Sequence, residues 1–180
     1  MEESLIFKKV IENKELVADT TYEIITSTFT EEEQKNILVA EIDSNYMDGI
    51  KLCEHYNLDL KTGVNCLVCE CRRGENKSYV ALLVPVGFKY NMSSTVRKYT
   101  NSRVVSVAPL EYVLEKTKME YGSINPLGLP EDWKIFIDPK VMEVDRIICG
   151  SGKQKSKMSL PSQYLLKLKN SEILDGLAKE

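Results

Sequence analysis

The sequence predicts an α+β fold: a single domain with a curved, mixed, largely antiparallel sheet and flanking helices. The chain has 180 residues, of which 43% are hydrophobic, enough for one sizeable core. Two long runs, Val64–Cys71 and Tyr79–Val86, are apolar at both odd and even positions, which is typical of strands covered on both faces. The polar segment 72–77 contains a glycine and joins the two runs, which predicts a hairpin.

The first part of the chain is interpreted as an N-terminal extension, residues 1–36, before the main domain, residues 37–180. Within the extension, Leu5–Val17 is predicted to be a helix, and the threonine-rich stretch Thr20–Phe29 is predicted to be extended. The main domain begins with the short apolar run Ile37–Ala40, which suits a buried strand. Tyr46–Tyr56 follows as a predicted helix, since its apolar residues recur at helical spacing.

After the hairpin, short strands alternate with short helices. A serine at its start favours a helix over residues 93–101, and Pro109 suits the first turn of another helix. Polar, glycine-rich and proline-rich segments separate the remaining elements. The remaining predicted strands are 103–107, 135–137, 144–149 and 158–160, and the remaining predicted helices are 161–168 and 172–178.

Charge and composition exclude several classes of protein. The net charge is −3 and the sequence pI is about 5.4, which argues against a general nucleic-acid coat but not against a small basic site. No run approaches the ~20 apolar residues of a membrane span, and the N-terminus does not resemble a secretory signal. The cysteine count is five, which suits reduced thiols. We therefore expect a cytoplasmic protein that does not bind a membrane.

The usual catalytic and cofactor motifs are poorly represented. His55 is the only histidine, so a triad would have to use it, and a lone helix histidine is more often a packing residue. On a strand, Cys66 should point away from Cys69 and Cys71, which argues against a zinc site formed by all three. Neither a Walker-type phosphate-binding loop nor a GxGxxG motif is present. We expect neither a metal nor another cofactor.

Two loops carry the candidate chemistry. Gly122–Gly128 combines glycine and proline, so it could hold backbone groups in a fixed array that binds a substrate. Gly150–Lys157 combines small residues with three lysines, which suits phosphate or a polynucleotide backbone. On spacing alone, a plain turn and a solvated hairpin are the commoner explanations.

The run Met119–Pro130 resembles the glycine-x-x-x-proline loop of the YbaK and prolyl-tRNA-synthetase-associated-domain family, an aminoacyl-tRNA editing family. The flanks agree in order: 96–98 and 103–108 before the loop, 133–138 and 146–157 after it. The resemblance covers about residues 37–168. It implies a YbaK-like α+β domain that hydrolyses the ester of mischarged tRNA. Neither a triad nor a metal is implied, because the ester is already activated and a ribose hydroxyl can help orient water.

The resemblance also implies roles for individual residues. Gly122 and Pro126 would shape the loop that anchors the aminoacyl group, and Asn65 falls where characterised members carry a lysine. The expected partner is the acceptor end of tRNA or aminoacyl-tRNA, with an aminoacyl-tRNA synthetase as a further expected partner. Other expected substrate contacts are Ser123, Ile124, Asn125, Cys149 and Ser151, and expected tRNA contacts are Lys153, Lys155, Lys157, Arg97 and Lys98.

Two departures from the family pattern predict a divergent subgroup. Asn65 can hydrogen-bond but cannot supply a positive charge. Ser123 replaces the second glycine of the loop, and a serine found later in some members falls near Cys149 or Ser151. Three functions therefore stay open: an aminoacyl-tRNA deacylase, a non-catalytic binder of aminoacyl-tRNA or an amino-acid-like ligand, and a hydrolase of another small ester or amide.

Overall fold

The computed structural model describes residues 3–180. It contains eleven strands and five α-helices among these residues, linked by short 3₁₀ turns and one π-helical turn. The strands are β1 Lys8–Lys9, β2 Leu38–Glu41, β3 Val64–Arg73, β4 Asn76–Pro85, β5 Lys89–Tyr90, β6 Val104–Val107, β7 Lys134–Ile137, β8 Arg146–Gly150, β9 Ser156–Pro161, β10 Ser171–Ile173 and β11 Ala178–Lys179. The helices are α1 Asp19–Thr28, α2 Glu31–Gln34, α3 Gly49–His55, α4 Arg97–Tyr99 and α5 Leu110–Thr117.

The strands form two main sheets and a small ribbon. One sheet is antiparallel, with strand order β1-β2-β9-β8. The other is mixed, with order β10-β7-β4-β3-β6, in which β7 runs parallel to both neighbours. The ribbon pairs β11 with β5. The predicted α+β class with a mixed, largely antiparallel arrangement is confirmed, although the strands divide between sheets.

The two sheets meet near the start of β3. A bridge between Gly63 and Ile148 joins the segment before β3 to β8. A shared core fills the space between the sheets and the helices, with Trp133, Leu127 and Ile137 among its most deeply buried members. The long β3–β4 hairpin has Val68 and Ala81 in this core, whereas Cys69 and Val80 lie in a second cluster on its other face. Both faces of the hairpin are therefore covered, as its sequence predicts.

The predictions for the N-terminal segment are wrong in detail. Residues 5–17 do not form a helix, since Lys8 and Lys9 pair with β2 and only 3₁₀ turns follow. Residues 20–29 form most of helix α1 rather than a strand, because Thr21 and Ile25 are buried one turn apart against the core. Tertiary packing has overridden the extended preference of the threonines.

The C-terminal helix predicted over residues 172–178 is also absent. Ser171–Ile173 adds a parallel strand beside β7, and Ala178 pairs with Tyr90. Gly176 lies between them with φ near 80°, a conformation that ends regular structure. Within residues 3–180, no helix has the length and apolar character needed to cross a bilayer.

Candidate functional site

A cavity of about 510 Å³ opens where the two sheets meet. The first residues of β3 form one part of its wall, and Gly150 at the end of β8 and Lys157 of β9 form another part. Three large side chains at the cavity, Val107, Leu110 and Tyr121, are about half exposed and form an apolar mouth. The described residues that line it are Met47, Asp48, Gly49, Val64, Asn65, Cys66, Leu67, Val68, Tyr90, Val107, Ala108, Leu110, Val113, Tyr121, Gly122, Ile124, Gly150 and Lys157.

The first half of the Gly122–Gly128 loop faces this cavity. Gly122 has φ near 77°, a left-handed conformation that side chains disfavour, and a Cβ there would lie 3.0 Å from Met47 Cε. Ile124 also lines the cavity and is half-buried. Glycine at 122 thus allows the backbone to pass close to any group that occupies the cavity.

The second half of the loop turns into the protein. Asn125 is fully buried, where its Nδ2 donates to Thr21 Oγ1 at 3.1 Å and its Oδ1 accepts from Leu127 N at 2.8 Å. Pro126 lines a separate cavity of about 230 Å³ beside Trp133. The sequence analysis expected Asn125 to contact the substrate and Pro126 to shape the anchoring loop, and the structure places neither residue in the lining of the 510 Å³ cavity.

Ser123, the residue in place of the family's second glycine, holds the two candidate loops together. Its carbonyl accepts a hydrogen bond from Gly152 N at 2.8 Å, and its buried Oγ has no hydrogen-bond partner within residues 3–180. Gly150 is needed at this junction, because a Cβ there would lie 2.5 Å from Ser123 O. Ser123 is absent from the cavity lining, so its position is structural.

Asn65 and Gly122 line the same cavity, the arrangement that an anchoring loop facing the β3 position requires. Asn65 is half-buried, and its Oδ1 lies beside Gly49, where a Cβ would approach it to 3.2 Å. Asp48 is the one carboxylate among the described lining residues. Its Oδ1 accepts from the backbone N–H groups of Ile50 and Lys51, so it caps α3 while bordering the cavity.

The three lysines of the second loop have different environments. Lys155 is exposed, whereas Lys153 is half-buried and its Nζ donates to Glu15 O at 2.8 Å. Lys157 is only 7% exposed and lies in β9, where it lines the cavity. Burial lowers the pKa of Lys157 below its ordinary value, although nearby Cys149, Asp48 and Cys53 act in the opposite direction. The expectation that all three contact tRNA phosphates does not suit Lys157, because its side chain is inside the protein.

Cys149 and Ser151, the two possible register positions for the family's later serine, are both buried and neither lines the cavity. Burial raises the pKa of the Cys149 thiol to about 12, so the thiol stays protonated at neutral pH. Ser151 Oγ lies 2.7 Å from Ser156 Oγ and accepts from Lys153 N at 3.1 Å. These contacts shape the hairpin rather than the cavity surface.

Arg97 and Lys98 are exposed on α4, and Arg97 Nε donates to Ser93 O at 2.8 Å. His55 stacks on Tyr46 with ring centroids 3.7 Å apart, and Nε2 lies 3.1 Å from Glu3 Oε2. His55 is therefore a packing residue outside the cavity lining. Among residues 3–180, no three His, Cys, Asp or Glu side chains are grouped to hold a metal ion.

The sequence profile of the aminoacyl-tRNA editing domain matches residues 44–168, well over half of the chain. The chain belongs to this family. The resemblance to YbaK and the prolyl-tRNA-synthetase-associated domains is thereby confirmed. No curated protein sequence matches the chain.

Solved structures agree with the editing-domain fold. A candidate trans-editing enzyme for prolyl-tRNA synthetase superposes with a TM-score of 0.72 at 15% identity, over 91% of this chain and 99% of that chain. A hypothetical protein gives 0.74 at 12% identity, over 89% of this chain and 100% of its own. A computationally designed epitope-grafting scaffold gives 0.72 at 14% identity, over 90% of this chain and 99% of its own. At these identities the likeness establishes the fold alone.

Sequence reasoning missed part of the editing domain's cavity. The segment Met47–Gly49 was placed inside a helix that in fact begins at Gly49, so the capping position of Asp48 was not recognised. An aspartate followed by glycine before an apolar run is a usable signal for a helix start. Tyr90 and Val113 come from elements distant in sequence, and only the tertiary fold brings them to the cavity.

Proposed function

We propose that this editing domain is an aminoacyl-tRNA deacylase that hydrolyses the ester of mischarged tRNA in trans. The observation that carries the proposal is the shared cavity of Asn65 and the Gly122 loop, in a chain of the aminoacyl-tRNA editing family. Its volume of about 510 Å³ suits an aminoacyl group with part of the ribose. The apolar mouth offers a surface for the terminal adenosine.

The chemistry needs positioning more than a side-chain nucleophile. The ester carbon is attacked by water, which a neighbouring ribose hydroxyl orients. Backbone groups at Gly122 hold the aminoacyl group, and the Asn65 amide can donate a hydrogen bond to it. Asp48 offers a carboxylate oxygen to the α-ammonium group, because only its other oxygen is used in capping α3.

Selectivity would come mainly from the apolar walls. Val64, Val68 and Val113 are buried or nearly so and belong to the core, so the walls cannot readily expand. A pocket of this kind discriminates by ~1–3 kcal/mol per methylene group. We therefore expect hydrolysis of small, uncharged aminoacyl groups and slower hydrolysis of larger ones.

The tRNA body would be held weakly. Lys155, Arg97 and Lys98 are exposed and are the proposed phosphate contacts, while the net charge of −3 limits non-specific attraction. A synthetase that supplies the mischarged tRNA is the proposed protein partner. The cytoplasm is the proposed compartment.

A second candidate function is non-catalytic binding of aminoacyl-tRNA. The neutral Asn65 at the position of the family's lysine is the observation that favours it. Under this alternative the cavity would bind an aminoacyl group without breaking the ester.

The test is a deacylation assay with a panel of correctly charged and mischarged tRNAs under single-turnover conditions. We expect at least one mischarged tRNA to lose its amino acid faster than in the absence of protein, with the matching correct pair spared. Binding without release across the panel would favour the second candidate. A rate that is insensitive to salt and to competing uncharged tRNA would point instead to another small ester or amide.

A further inference from the structure

Lys157 is the buried cation of the cavity. It lies in β9 between two small neighbours, with Gly150 opposite it on β8 and Ala40 opposite it on β2. Only 7% of the residue is exposed, and the residue lines the cavity. The small neighbours leave the long side chain unobstructed.

The ammonium group has no partner among the described residues. Within residues 3–180, no acceptor is hydrogen-bonded to Lys157 Nζ and no carboxylate lies within ion-pair distance of it. Asp48 borders the same cavity but forms no ion pair with Lys157. Its Oδ1 instead caps α3. Among residues 3–180, Ser123 Oγ is the only fully buried side-chain polar atom without a partner, so Lys157 Nζ keeps some access to solvent, and a polar ligand in the cavity would replace that solvent.

Asn65 and Lys157 line the same cavity but differ in charge. The β3 wall presents a neutral amide, whereas the β9 wall presents an ammonium group to the same volume. A donor aimed at a developing negative charge in a site that excludes water is worth far more than one in solution. The cavity therefore has a positive group, although it comes from the other sheet.

We propose that Lys157 is a catalytic residue whose ammonium group donates a hydrogen bond to the carbonyl oxygen of the bound aminoacyl ester. This inference rests on the proposed deacylase function. Water adds to the carbonyl carbon, and the resulting oxyanion is held by Lys157, which stays protonated. The bond between the carbonyl carbon and the ribose oxygen then breaks. One proton of the water passes to the ribose oxygen, and the other passes to solvent as the free carboxylate forms.

The test compares Lys157→Met, which keeps the length of the side chain without its charge, with the control Lys134→Met. Lys134 also lies in a strand, β7, but it is exposed and lines neither cavity. Single-turnover deacylation is measured with saturating enzyme, together with the binding of an amide-linked, non-hydrolysable aminoacyl-adenosine. We expect Lys157→Met to lower the rate about 100-fold or more and to weaken analogue binding about 10-fold. Lys134→Met should leave both unchanged.

The outcomes separate the two proposals. If Lys157→Met stays within about threefold of an active wild type, the role of Lys157 is refuted while the deacylase function stands. If the wild type hydrolyses nothing but binds the analogue through Lys157, the carbonyl contact stands and the deacylase function is refuted. Wild-type protein that neither hydrolyses nor binds would overturn both. An equal loss in Lys134→Met would show that the effect does not depend on the position of Lys157 and would refute its role.

Discussion

Two strands from different sheets border the cavity, and they bring different chemistry to it. The start of β3 carries Asn65, a neutral amide at the position of the family's lysine, whereas β9 carries Lys157, a buried ammonium group. The sequence alone suggests that the positive charge has been lost. In the structure, the ammonium side chain of Lys157 lines the same cavity as Asn65, although it comes from a strand of the other sheet. The proposed chemistry needs a positive charge beside the ester carbonyl. Residues 65 and 157 both line the cavity, so a lysine at either position is expected to supply that charge.

The largest effect is expected when the positive charge is moved from β9 to β3. The double variant Asn65→Lys, Lys157→Met returns the ammonium group to β3 and removes it from β9. We expect it to recover at least about a tenth of the wild-type deacylation rate, against a loss of about 100-fold or more in Lys157→Met alone. Single-turnover rates of the two variants, measured side by side, make the test. A double variant no faster than Lys157→Met would show that the two walls are not interchangeable.

The second prediction concerns the loop that faces both walls. Gly122→Ala places a side chain at a left-handed position beside Met47, so we expect the loop to shift and the deacylation rate to fall about 10- to 100-fold. Gly74→Ala is the matched control. Gly74 has φ near 61°, comparable to that of Gly122, but nothing lies within 4 Å of an added Cβ.

An alanine in a left-handed conformation costs ~1–2 kcal/mol, so the two variants should be destabilised by similar amounts. Thermal unfolding should therefore shift by similar amounts in both, while only Gly122→Ala loses activity. Equal losses of activity in the two variants would mean that the effect is one of stability and not of the site.

The sequence predicted the β3–β4 hairpin because its residues are apolar on both faces, and it located the Gly122 loop through glycine, proline and the family resemblance. It did not predict the position of Lys157. With β9 predicted to begin at Met158, Lys157 falls at the end of the preceding polar loop as an expected tRNA contact, whereas the strand begins at Ser156 and its pairing turns Lys157 inward. A shift of two residues in a strand boundary changed a surface lysine into a cavity residue.

Other failures have the same origin. The local sequence around Thr21 and Ile25 favours a strand. The segment forms helix α1 because these two residues pack against the core. Asn125 and Pro126 sit in the loop that carries the resemblance, but the turn after Ile124 points them away from the cavity. The motif identifies the loop that borders the cavity, whereas tertiary contacts determine which residues of that loop face the cavity.

A third prediction concerns Asp48, which lies on the same side as Asn65. Asp48→Asn retains an oxygen that can cap α3 but removes the negative charge, so folding should be little affected. We expect the α-ammonium group to bind about tenfold more weakly, seen as a higher KM with a smaller change in kcat. The matched probe is an acyl-adenosine that lacks the amino group, for which wild type and variant should behave alike. If Asp48→Asn also bound the probe without an amino group more weakly than wild type does, the assigned contact between Asp48 and the α-ammonium group would be contradicted.

The smallest expected effect is on stability. Because the pKa of Lys157 is lowered in the folded protein, the unfolded chain binds more protons between that pKa and about 10.5, and wild-type stability rises with pH across this window. Lys157→Met lacks this dependence and no longer buries a charge. We expect it to be ~1 kcal/mol more stable at neutral pH, about 2–4 °C in Tm, with the gap closing toward pH 10. A variant less stable than wild type at pH 7 would mean that the ammonium group has a stabilising partner.

The most direct test of the account is the crystal structure of the protein with an amide-linked aminoacyl-adenosine bound. We predict that the aminoacyl group lies in the 510 Å³ cavity, with its carbonyl oxygen within hydrogen-bond distance of Lys157 Nζ and its backbone contacts at Gly122. The analogue bound instead in the smaller cavity beside Pro126 and Trp133, or bound with the carbonyl turned away from β9, would contradict it.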